Sequence, residues 1–216
     1  QGNTDAQYGL GLIYDSGKGV PQDNAEAARW YRKAADLGLA SAQSNLGVLY
    51  ANGQGVKQDF KEAARWYRRA AEQEYAIAQF NLGVLYEKGH GLKQNYTEAV
   101  HWYRRAAEKG ETDAQLNLGL LYAKGQGIPQ SYAKAVRYYR MAAEQGDADA
   151  QNSLGLLYAK GQGAPQDLVQ AHLWLSLAAA QGDKSAAKER DLLVKKMTPA
   201  QLTQAQKLAR GWKPKK

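Results

Sequence analysis

Three histidines, His90, His101 and His172, are the first residues to consider for catalysis or metal binding. A metal site or a nucleophilic centre needs a partner at fixed spacing, such as a second His one helical turn away or a Ser–His–Asp set. No His has such a partner, and the chain has no Cys. We interpret the three histidines as surface or rim residues, and we predict no catalytic residue, no metal ligand and no cofactor.

Paired glycines recur along the chain and raise the question of a phosphate-binding loop. Gly17 and Gly19 form the first pair, and equivalent pairs follow at 53/55, 89/91, 125/127 and 161/163. A phosphate-binding loop follows a strand and carries a Lys-Ser or Lys-Thr dipeptide. The pairs follow helical sequence and lack that dipeptide, so they are predicted to end helices.

Arginines provide another candidate site, because four of them occupy one recurring position: Arg32, Arg68, Arg104 and Arg140. A row of guanidinium groups could bind a polyanion. Each Arg also precedes an acidic residue by four positions, a spacing typical of paired charges on a solvated helix face. The row therefore predicts a basic surface with two interpretations, a polyanion site or an ordinary charged helix face.

The positions of these residues follow a sequence repeat of 36 residues, because the dipeptide Ala-Gln begins at 6, 42, 78, 114 and 150. Each unit has an apolar pattern of helical period that ends at the paired glycines. A second pattern begins at Asp23 and its equivalents, which are good N-caps, and Glu26 three residues later predicts a capping box. Each unit is therefore predicted to contain two helices; the first helix of the first unit spans 6–15.

Glycine is unusual inside a helix, yet Gly11 and its four equivalents lie inside the predicted first helices. A glycine there costs up to about 1 kcal/mol relative to alanine. We infer that the two helices of a unit pack too closely for a Cβ, against bulk supplied by the Trp30-Tyr31 pair and its equivalents. The second unit has a further weak point, because Glu74 stands where the others have a glycine that ends the second helix.

The consensus of the five units closely resembles the Sel-one-like repeat (SLR), a relative of the tetratricopeptide repeat. It reads A-Q-x-x-L-G-x-x-Y-x-x-G-x-G-V-x-x-D-x-x-E-A-x-x-W-Y-R-x-A-A-E-x-G. The resemblance implies an all-α fold, a right-handed α-solenoid of 36-residue helix-turn-helix repeats whose first helices line the concave wall. It also implies an adaptor that assembles protein complexes, most often in bacteria, with some members linked to envelope biology or host contact. For localisation it favours the bacterial periplasm or export over the cytoplasm.

The repeat also sets the predicted boundaries. A lead-in covers 1–5, and the five units are 6–41, 42–77, 78–113, 114–149 and 150–185. Residues 186–211 are predicted to form C-terminal capping helices, in which Leu192, Leu193 and Met197 close the last apolar layer, and 212–216 form a basic tail. The N-terminal end has no comparable cap, so either upstream residues are missing or this end packs on another chain.

First-helix residues that point away from the core are predicted to bind a partner in the concave groove. They form an apolar row, a row that varies between units and a row one turn later. The apolar row is Leu12, Val48, Val84, Leu120 and Leu156; the variable row is Tyr8, Ser44, Phe80, Leu116 and Asn152; the last is Asp15, Ala51, Glu87, Ala123 and Ala159. The apolar row either accepts a peptide or amphipathic helix or belongs to the helix–helix core.

Three functions follow as hypotheses. The first is a non-catalytic scaffold that binds a protein or peptide segment in the groove, with self-association through the N-terminal end as a second protein contact. The second is binding of a polyanion or envelope polymer through the Arg row and the basic tail. The third is a weak hydrolase, for example on cell-wall or β-lactam-like substrates, as suggested for some SLR proteins. No nucleophile–base pair supports the third, and we predict the first.

The net charge of +8 bears on the second hypothesis. Residues 186–216 hold nine basic and two acidic residues, whereas residues 1–185 hold 20 basic and 19 acidic. The excess positive charge therefore belongs to the C-terminal end, and it does not mark the whole chain as a specific nucleic-acid binder. No apolar stretch approaches the roughly 20 residues that span a bilayer.

Overall fold

The computed structural model describes residues 3–215, and this part of the chain is built from α-helices with no β-strand. In chain order the helices are α1 (Thr4–Ser16), α2 (Asn24–Asp36), α3 (Ala40–Asn52), α4 (Phe60–Glu72), α5 (Ala76–Lys88), α6 (Tyr96–Glu108), α7 (Thr112–Lys124), α8 (Tyr132–Glu144), α9 (Ala148–Lys160), α10 (Leu168–Ala180), α11 (Lys184–Val194) and α12 (Pro199–Gly211). They form two compact units, α1–α6 and α7–α12. The predicted all-α class is confirmed.

The odd-numbered helices α1 to α9 are the predicted first helices, and the even-numbered helices α2 to α10 are their second helices. Helix α1 begins at Thr4, two residues before the predicted start at Ala6. The reason is an N-cap that sequence reasoning missed: Asn3 Oδ1 accepts hydrogen bonds from the backbone N–H groups of Asp5 and Ala6 at 2.9 and 3.4 Å.

The second helices begin at the predicted N-caps. Asp23 Oδ1 accepts from the backbone N–H groups of Ala25 and Glu26 at 2.9 and 3.0 Å, and the caps of α4, α6, α8 and α10 lie at the equivalent positions. The predicted reciprocal half of the capping box is different in α2. There Glu26 accepts from Arg29 Nη1 at 2.6 Å, so its carboxylate forms an ion pair inside the helix instead of capping it.

The second helices end as predicted in a left-handed residue. Gly38 has φ 96°, and the equivalent glycines at 110, 146 and 182 have φ between 93° and 103°. Glu74 takes the same region with φ 63°, the only non-glycine to do so among the described residues. Its carboxylate lies 2.6 Å from Lys109 Nζ, and this hydrogen-bonded ion pair holds the pKa of Glu74 below its usual range.

The two helices of each pair meet at a glycine, as predicted. A Cβ added to Gly83 would lie 2.7 Å from Cδ1 and Cε1 of Tyr103, closer than real Cβ contacts. Glycines 11, 47 and 119 meet tyrosines 31, 67 and 139 in the same way, and Gly155 meets Leu175. The bulky partner is therefore the second residue of the aromatic pair, not the Trp that precedes it.

The second glycine of the Gly-x-Gly turn joins consecutive pairs at three places, after α3, α5 and α9. A Cβ added to Gly55, Gly91 or Gly163 would overlap the backbone carbonyl carbon of the first residue of α2, α4 or α8, respectively. This glycine is therefore an inter-repeat contact, and the first glycine of the turn supplies the helix C-cap.

A buried glutamine on α3 and its equivalent on α9 provide a second inter-repeat link. Gln43 Nε2 donates to the carbonyl oxygen of Ala35 on the preceding second helix at 3.0 Å. Its Oε1 accepts from Gln73, the residue after α4, at 2.8 Å. Gln151 repeats both bonds with Ala143 and Gln181 at 3.1 and 3.0 Å. These amides satisfy backbone groups that would otherwise be buried without a partner.

This glutamine link is incomplete where the residue after the second helix is not Gln. Gln79 donates to Ala71 O at 3.1 Å, but its Oε1 is buried and accepts no hydrogen bond. The residue that would donate to it is Lys109, which pairs with Glu74. Gln7 Oε1 is orphaned in the same way, and the corresponding residue of the first pair is Leu37.

The C-terminal cap follows the prediction in part. Helix α11 takes the place of a first helix, and α12 begins with the predicted capping box of Thr198 and Gln201. Leu193 is buried as predicted and Met197 is half-buried, but Leu192 is 45% exposed and does not close the last layer, because it lines a surface cavity with Leu156 and Leu168.

The segment predicted as a basic tail packs onto α8 and α10. The Lys215 backbone N–H donates to Glu144 O, and Lys215 Nζ pairs with Glu144 Oε2, both at 2.7 Å. The Trp212 ring meets Trp174 edge-on, with 6.3 Å between centroids. In α4 and α6 an Arg three residues after the equivalent Trp covers its ring. In α10 the residue at the position of that Arg is Leu177, so Trp212 takes the place of the missing guanidinium.

We expect Gly83→Ala to lower the free energy of unfolding by about 1–3 kcal/mol, because the added Cβ must displace a buried Tyr ring. Gly9→Ala is the matched control, since an added Cβ at Gly9, also inside a first helix, meets no atom within 4 Å. The control should gain up to about 1 kcal/mol from helix propensity. Urea unfolding measures both; equal effects would contradict the close-packing explanation.

We expect Lys109→Gln to stabilise the chain by about 1 kcal/mol, because the new amide can donate to the orphaned Oε1 of Gln79. Loss of the exposed pair with Glu74 should subtract little. Lys93→Gln removes the same charge from an exposed loop and serves as the control. If urea unfolding finds the two variants equally stable, the glutamine link is not limited by residue 109.

Candidate partner-binding surface

The predicted apolar row lies at the surface but is not free of the core. Leu12 is 42% exposed, and Val48, Val84, Leu120 and Leu156 are half-buried. One side of each residue therefore packs inside the fold while the other is accessible, which gives each first helix an accessible apolar contact at the same position.

The variable row packs mainly against the second helices. Tyr8 and Phe80 contact the rings of Tyr31 and Tyr103, with 5.7 Å between centroids in each pair. Leu116 and Asn152 are half-buried. The prediction for Ser44 is wrong: its side chain is 1% exposed, because its position faces the neighbouring helices, so it cannot contact a partner.

The acidic residues of the last row are engaged within their own helix pairs. The hydroxyl of Tyr31 donates to Asp15 Oδ2 at 2.9 Å, and the hydroxyl of Tyr103 donates to Glu87 Oε2 at 2.5 Å. Burial, and then the bond to Asp15, raise the pKa of Tyr31 well above its usual value. These carboxylates therefore accept hydrogen bonds from the hydroxyls of the tyrosines that pack on the helix-pair glycines. The repeats that have an alanine in this row have no such carboxylate, and the smaller side chain leaves space at the surface.

One such space is a crevice of about 450 Å³ between α3 and α5. Its walls combine Ala51 and Val84, from two predicted rows, with the rings of Phe60 and Tyr67 on α4. Polar groups surround these apolar residues; they are Asn52, Gln58, Asn81, Lys88 and His90. We call this cavity the α3–α5 crevice.

The same crevice recurs in the second compact unit, between α9 and α11, with a volume of about 220 Å³. Ala159, Leu168, Leu175 and Leu192 stand three repeats after Ala51, Phe60, Tyr67 and Val84. Its polar residues are Lys160, Gln166, Glu189 and Lys196. We call this cavity the α9–α11 crevice; equivalent positions of the chain thus line a cavity in both compact units.

Sequence reasoning missed the residues that shape the floor and rim of these crevices. Gln58 Nε2 donates to Ala51 O, and Gln166 Nε2 donates to Ala159 O, both at 2.8 Å. These bonds hold the turn against the end of the first helix. The signal was present in the sequence, because a Gln recurs at 22, 58, 94, 130 and 166.

The Arg row is engaged in contacts between consecutive helix pairs. Arg68 Nη2 donates to the Tyr86 hydroxyl at 2.7 Å, and Arg32 and Arg140 donate likewise to Tyr50 and Tyr158. The expected pairing of these three arginines with the acidic residue four positions on is not among the ion pairs of the described residues. Arg104 is exposed at the same position of α6.

The three histidines lie on different elements: His90 follows α5, His101 is on α6 and His172 is on α10. His90 and His101 are exposed as predicted, but His172 is 5% exposed, so its assignment as a rim residue is wrong. Residues 3–215 hold no cluster of three or more His, Asp or Glu that could bind a metal. In the same range no helix has the length and apolar character needed to cross a membrane.

A Ser-x-x-Lys spacing, which marks some acyl-transfer enzymes, occurs at Ser131 and Lys134, and again at the exposed residues Ser185 and Lys188 of α11. Ser131 Oγ accepts from the backbone N–H of Lys134 at 3.3 Å and caps α8. The Lys134 ammonium lies over the ring of Tyr122, 5.2 Å from its centroid. Ser131 and Lys134 are therefore engaged in capping and cation–π contacts.

The helix-pair repeat defines the class of the protein as an all-α solenoid. The Sel1 repeat family matches residues 4–39, 40–75, 76–111, 112–147 and 148–183, and the chain belongs to this family. The resemblance inferred from the consensus is thus confirmed. Proteins with Sel1 repeats are typically protein-interaction scaffolds and are generally non-catalytic.

Two solved structures share both sequence and fold with this chain. A protective antigen of uropathogenic Escherichia coli with an SLR fold is 37% identical, with a TM-score of 0.88 over 96% of this chain and 45% of that one. This chain therefore spans less than half of that relative. A Sel1 repeat protein from Oxalobacter formigenes is 44% identical, with a TM-score of 0.80 over 86% of this chain and 76% of that one.

More distant similarity shows the fold alone. An immunity protein from Pseudomonas aeruginosa is 24% identical, with a TM-score of 0.53 over 96% of this chain and 78% of that one. Comparison with curated proteins gave no match.

Proposed function

We propose that the protein is a non-catalytic scaffold that binds a protein segment through the α3–α5 and α9–α11 crevices. The observation that carries the proposal is their recurrence: equivalent residues of two different repeats form an accessible apolar cavity with a polar rim. Pockets with apolar walls and a few polar groups are typical binding sites. The scaffold role of Sel1 repeats in general supports the same function.

The crevice residues favour a partner segment that combines apolar and acidic side chains. An apolar side chain fits against Phe60 and Val84, or against Leu168 and Leu192. The rims carry Lys88 and His90 in one crevice, and Lys160 and Lys196 against Glu189 in the other. A carboxylate next to the apolar side chain would therefore meet positive charge at both sites.

Binding of a polyanion through the Arg row and C-terminal tail is the weaker candidate. Arg32, Arg68 and Arg140 each donate a hydrogen bond to a Tyr of the next pair, and Lys215 is paired with Glu144. An acidic polymer would have to compete with these contacts. Export and a role at the bacterial envelope remain part of the proposal, and they are supported by the 37% identity to a protective antigen.

A display library of random peptides selected on the full chain tests the crevice assignment. We expect selected peptides to share an apolar residue beside a carboxylate. We expect Val84→Glu to lower the affinity for peptides that bind the α3–α5 crevice by about tenfold or more, because burying a carboxylate there costs more than about 1.4 kcal/mol. Leu192→Glu should do the same at the α9–α11 crevice. Fluorescence polarisation of labelled peptides gives the affinities.

Ile77→Glu is the matched control, since Ile77 lies on α5 with Val84, is 47% exposed and lines neither crevice. It should bind the peptides as the wild type does, and circular dichroism should show unchanged helicity in all three variants. Peptides that bind Val84→Glu and Leu192→Glu without loss would refute the crevices as the binding site.

We further propose that α1 allows self-association. Ala6 and Ile13 are exposed on α1, whereas the residues equivalent to Ala6 on α3, α5, α7 and α9 are fully buried. A second copy meeting this face through its own α1 would bury the same apolar positions. Sedimentation velocity should then show a concentration-dependent dimer that Ile13→Glu abolishes. A wild-type chain that stays monomeric at high concentration would rule this contact out.

A further inference from the structure

A separate cleft of about 460 Å³ lies at the C-terminal cap, between α10, α11 and α12. Its size is within the range of small-molecule sites. The crevices described above share no residue with it, and the proposed scaffold function makes no use of it.

The polar wall of the cleft is cationic and is built from all three helices. Arg190 on α11 donates from Nε and Nη2 to Asp191 Oδ1 at 3.0 and 2.7 Å, which fixes the plane of its guanidinium. Arg210 lies in the last turn of α12 and also lines the cleft. Two guanidinium groups thus face the cleft against a single carboxylate, which leaves a net positive charge.

A buried histidine forms the deep part of this wall. His172 on α10 is buried, and its Nδ1 lies 3.2 Å from Ser176 Oγ, which fixes the ring orientation. Burial, and then the charge of Arg190, lower the pKa of His172, which favours the neutral imidazole. The neutral ring adds a hydrogen-bonding group to the cleft rather than a further charge.

Apolar side chains of α11 and α12 also line the cleft, and the basic surface continues beyond it. Val194 and Leu202 line the cleft together with Ala209. A smaller cavity of about 190 Å³ on α12 shares Gln206 and Arg210 with the cleft and adds Lys207. The cleft thus lies in the part of the chain that carries most of the excess positive charge.

We propose that this cleft binds a small amphipathic anion. A carboxylate or phosphate group would be held by the Arg210 guanidinium and by Nη1 of Arg190, which is not bonded to Asp191, since guanidinium N–H groups recognise both anions. A short apolar chain attached to that group would lie against Val194 and Leu202. Because the ligand would touch α10, α11 and α12 together, it would also stabilise the cap.

Titration of the full chain with defined probes tests this assignment. Binding is monitored through the NMR signals of the His172 ring and the Arg Nε–H groups. Hexanoate and hexyl phosphate carry the two anionic groups on the same apolar chain, and we expect saturable shifts with at least one. Their relative affinities show which group is preferred. Inorganic phosphate, without the apolar chain, should bind at least about tenfold more weakly, and hexylamine, with the opposite charge, should not bind.

Arg210→Gln should weaken the binding of hexanoate or hexyl phosphate by about tenfold or more, because a charge-assisted hydrogen bond is lost. Arg210 is exposed, so the fold should survive, which thermal unfolding checks. Lys195→Gln is the matched control: it removes one exposed charge from the same cap, outside the cleft. The proposal is overturned if the two variants bind alike, if hexylamine binds as well as hexanoate, or if inorganic phosphate binds as well as hexyl phosphate.

Discussion

The contact between a helix glycine and a tyrosine ring is the constraint on which the rest of this fold depends. A glycine in mid-helix weakens the helix by up to about 1 kcal/mol. Glycine is nevertheless required at position 83, because the ring of Tyr103 occupies the space where a Cβ would lie. The backbones of the two helices can then approach closely, and the pair becomes a compact building block with a fixed geometry.

The same contact shapes the two crevices that are proposed to bind a partner. Tyr67 packs on Gly47 with one part of its ring and lines the α3–α5 crevice with another. In the last repeat Leu175 packs on Gly155 and lines the α9–α11 crevice. The side chain that closes the helix pair is therefore also a wall of the candidate binding site, so crevice and fold cannot be varied independently at that residue.

The features that the sequence predicts well are those that repeat and depend on local chemistry. The period, the N-caps such as Asp23, the left-handed ends and the helix-pair glycines all follow from residue type and spacing. Ser44 could not be placed correctly, because a helical pattern does not say how deep the neighbouring helices reach. Gln58 was missed because its bond closes a turn within the repeat, and its regular recurrence alone did not reveal its acceptor.

The C-terminal tail shows a different limit of sequence reasoning. Residues 212–215 look like a charged extension by composition, yet they pack on the fold. They do so because α10 has Leu177 where α4 and α6 have an Arg over the preceding Trp. Only the structure shows that Trp212 covers Trp174 in place of that Arg. A departure from the consensus in one helix is thus compensated by a residue far along the chain.

The anion-binding cleft also follows from the glycine contact, because it lies where that contact is absent. Helix α11 takes the position of a first helix, but Arg190 and Asp191 replace the Leu-Gly dipeptide of the other repeats. In the other repeats a glycine such as Gly83 leaves room for the Tyr103 ring, so that α6 packs on α5. Helix α11 has no glycine at this position, and α12 packs against α10 instead. The space left between α11 and α12 is lined by the charged residues that replaced the dipeptide. The cap thus ends the repeat and opens a polar cleft through the same substitution.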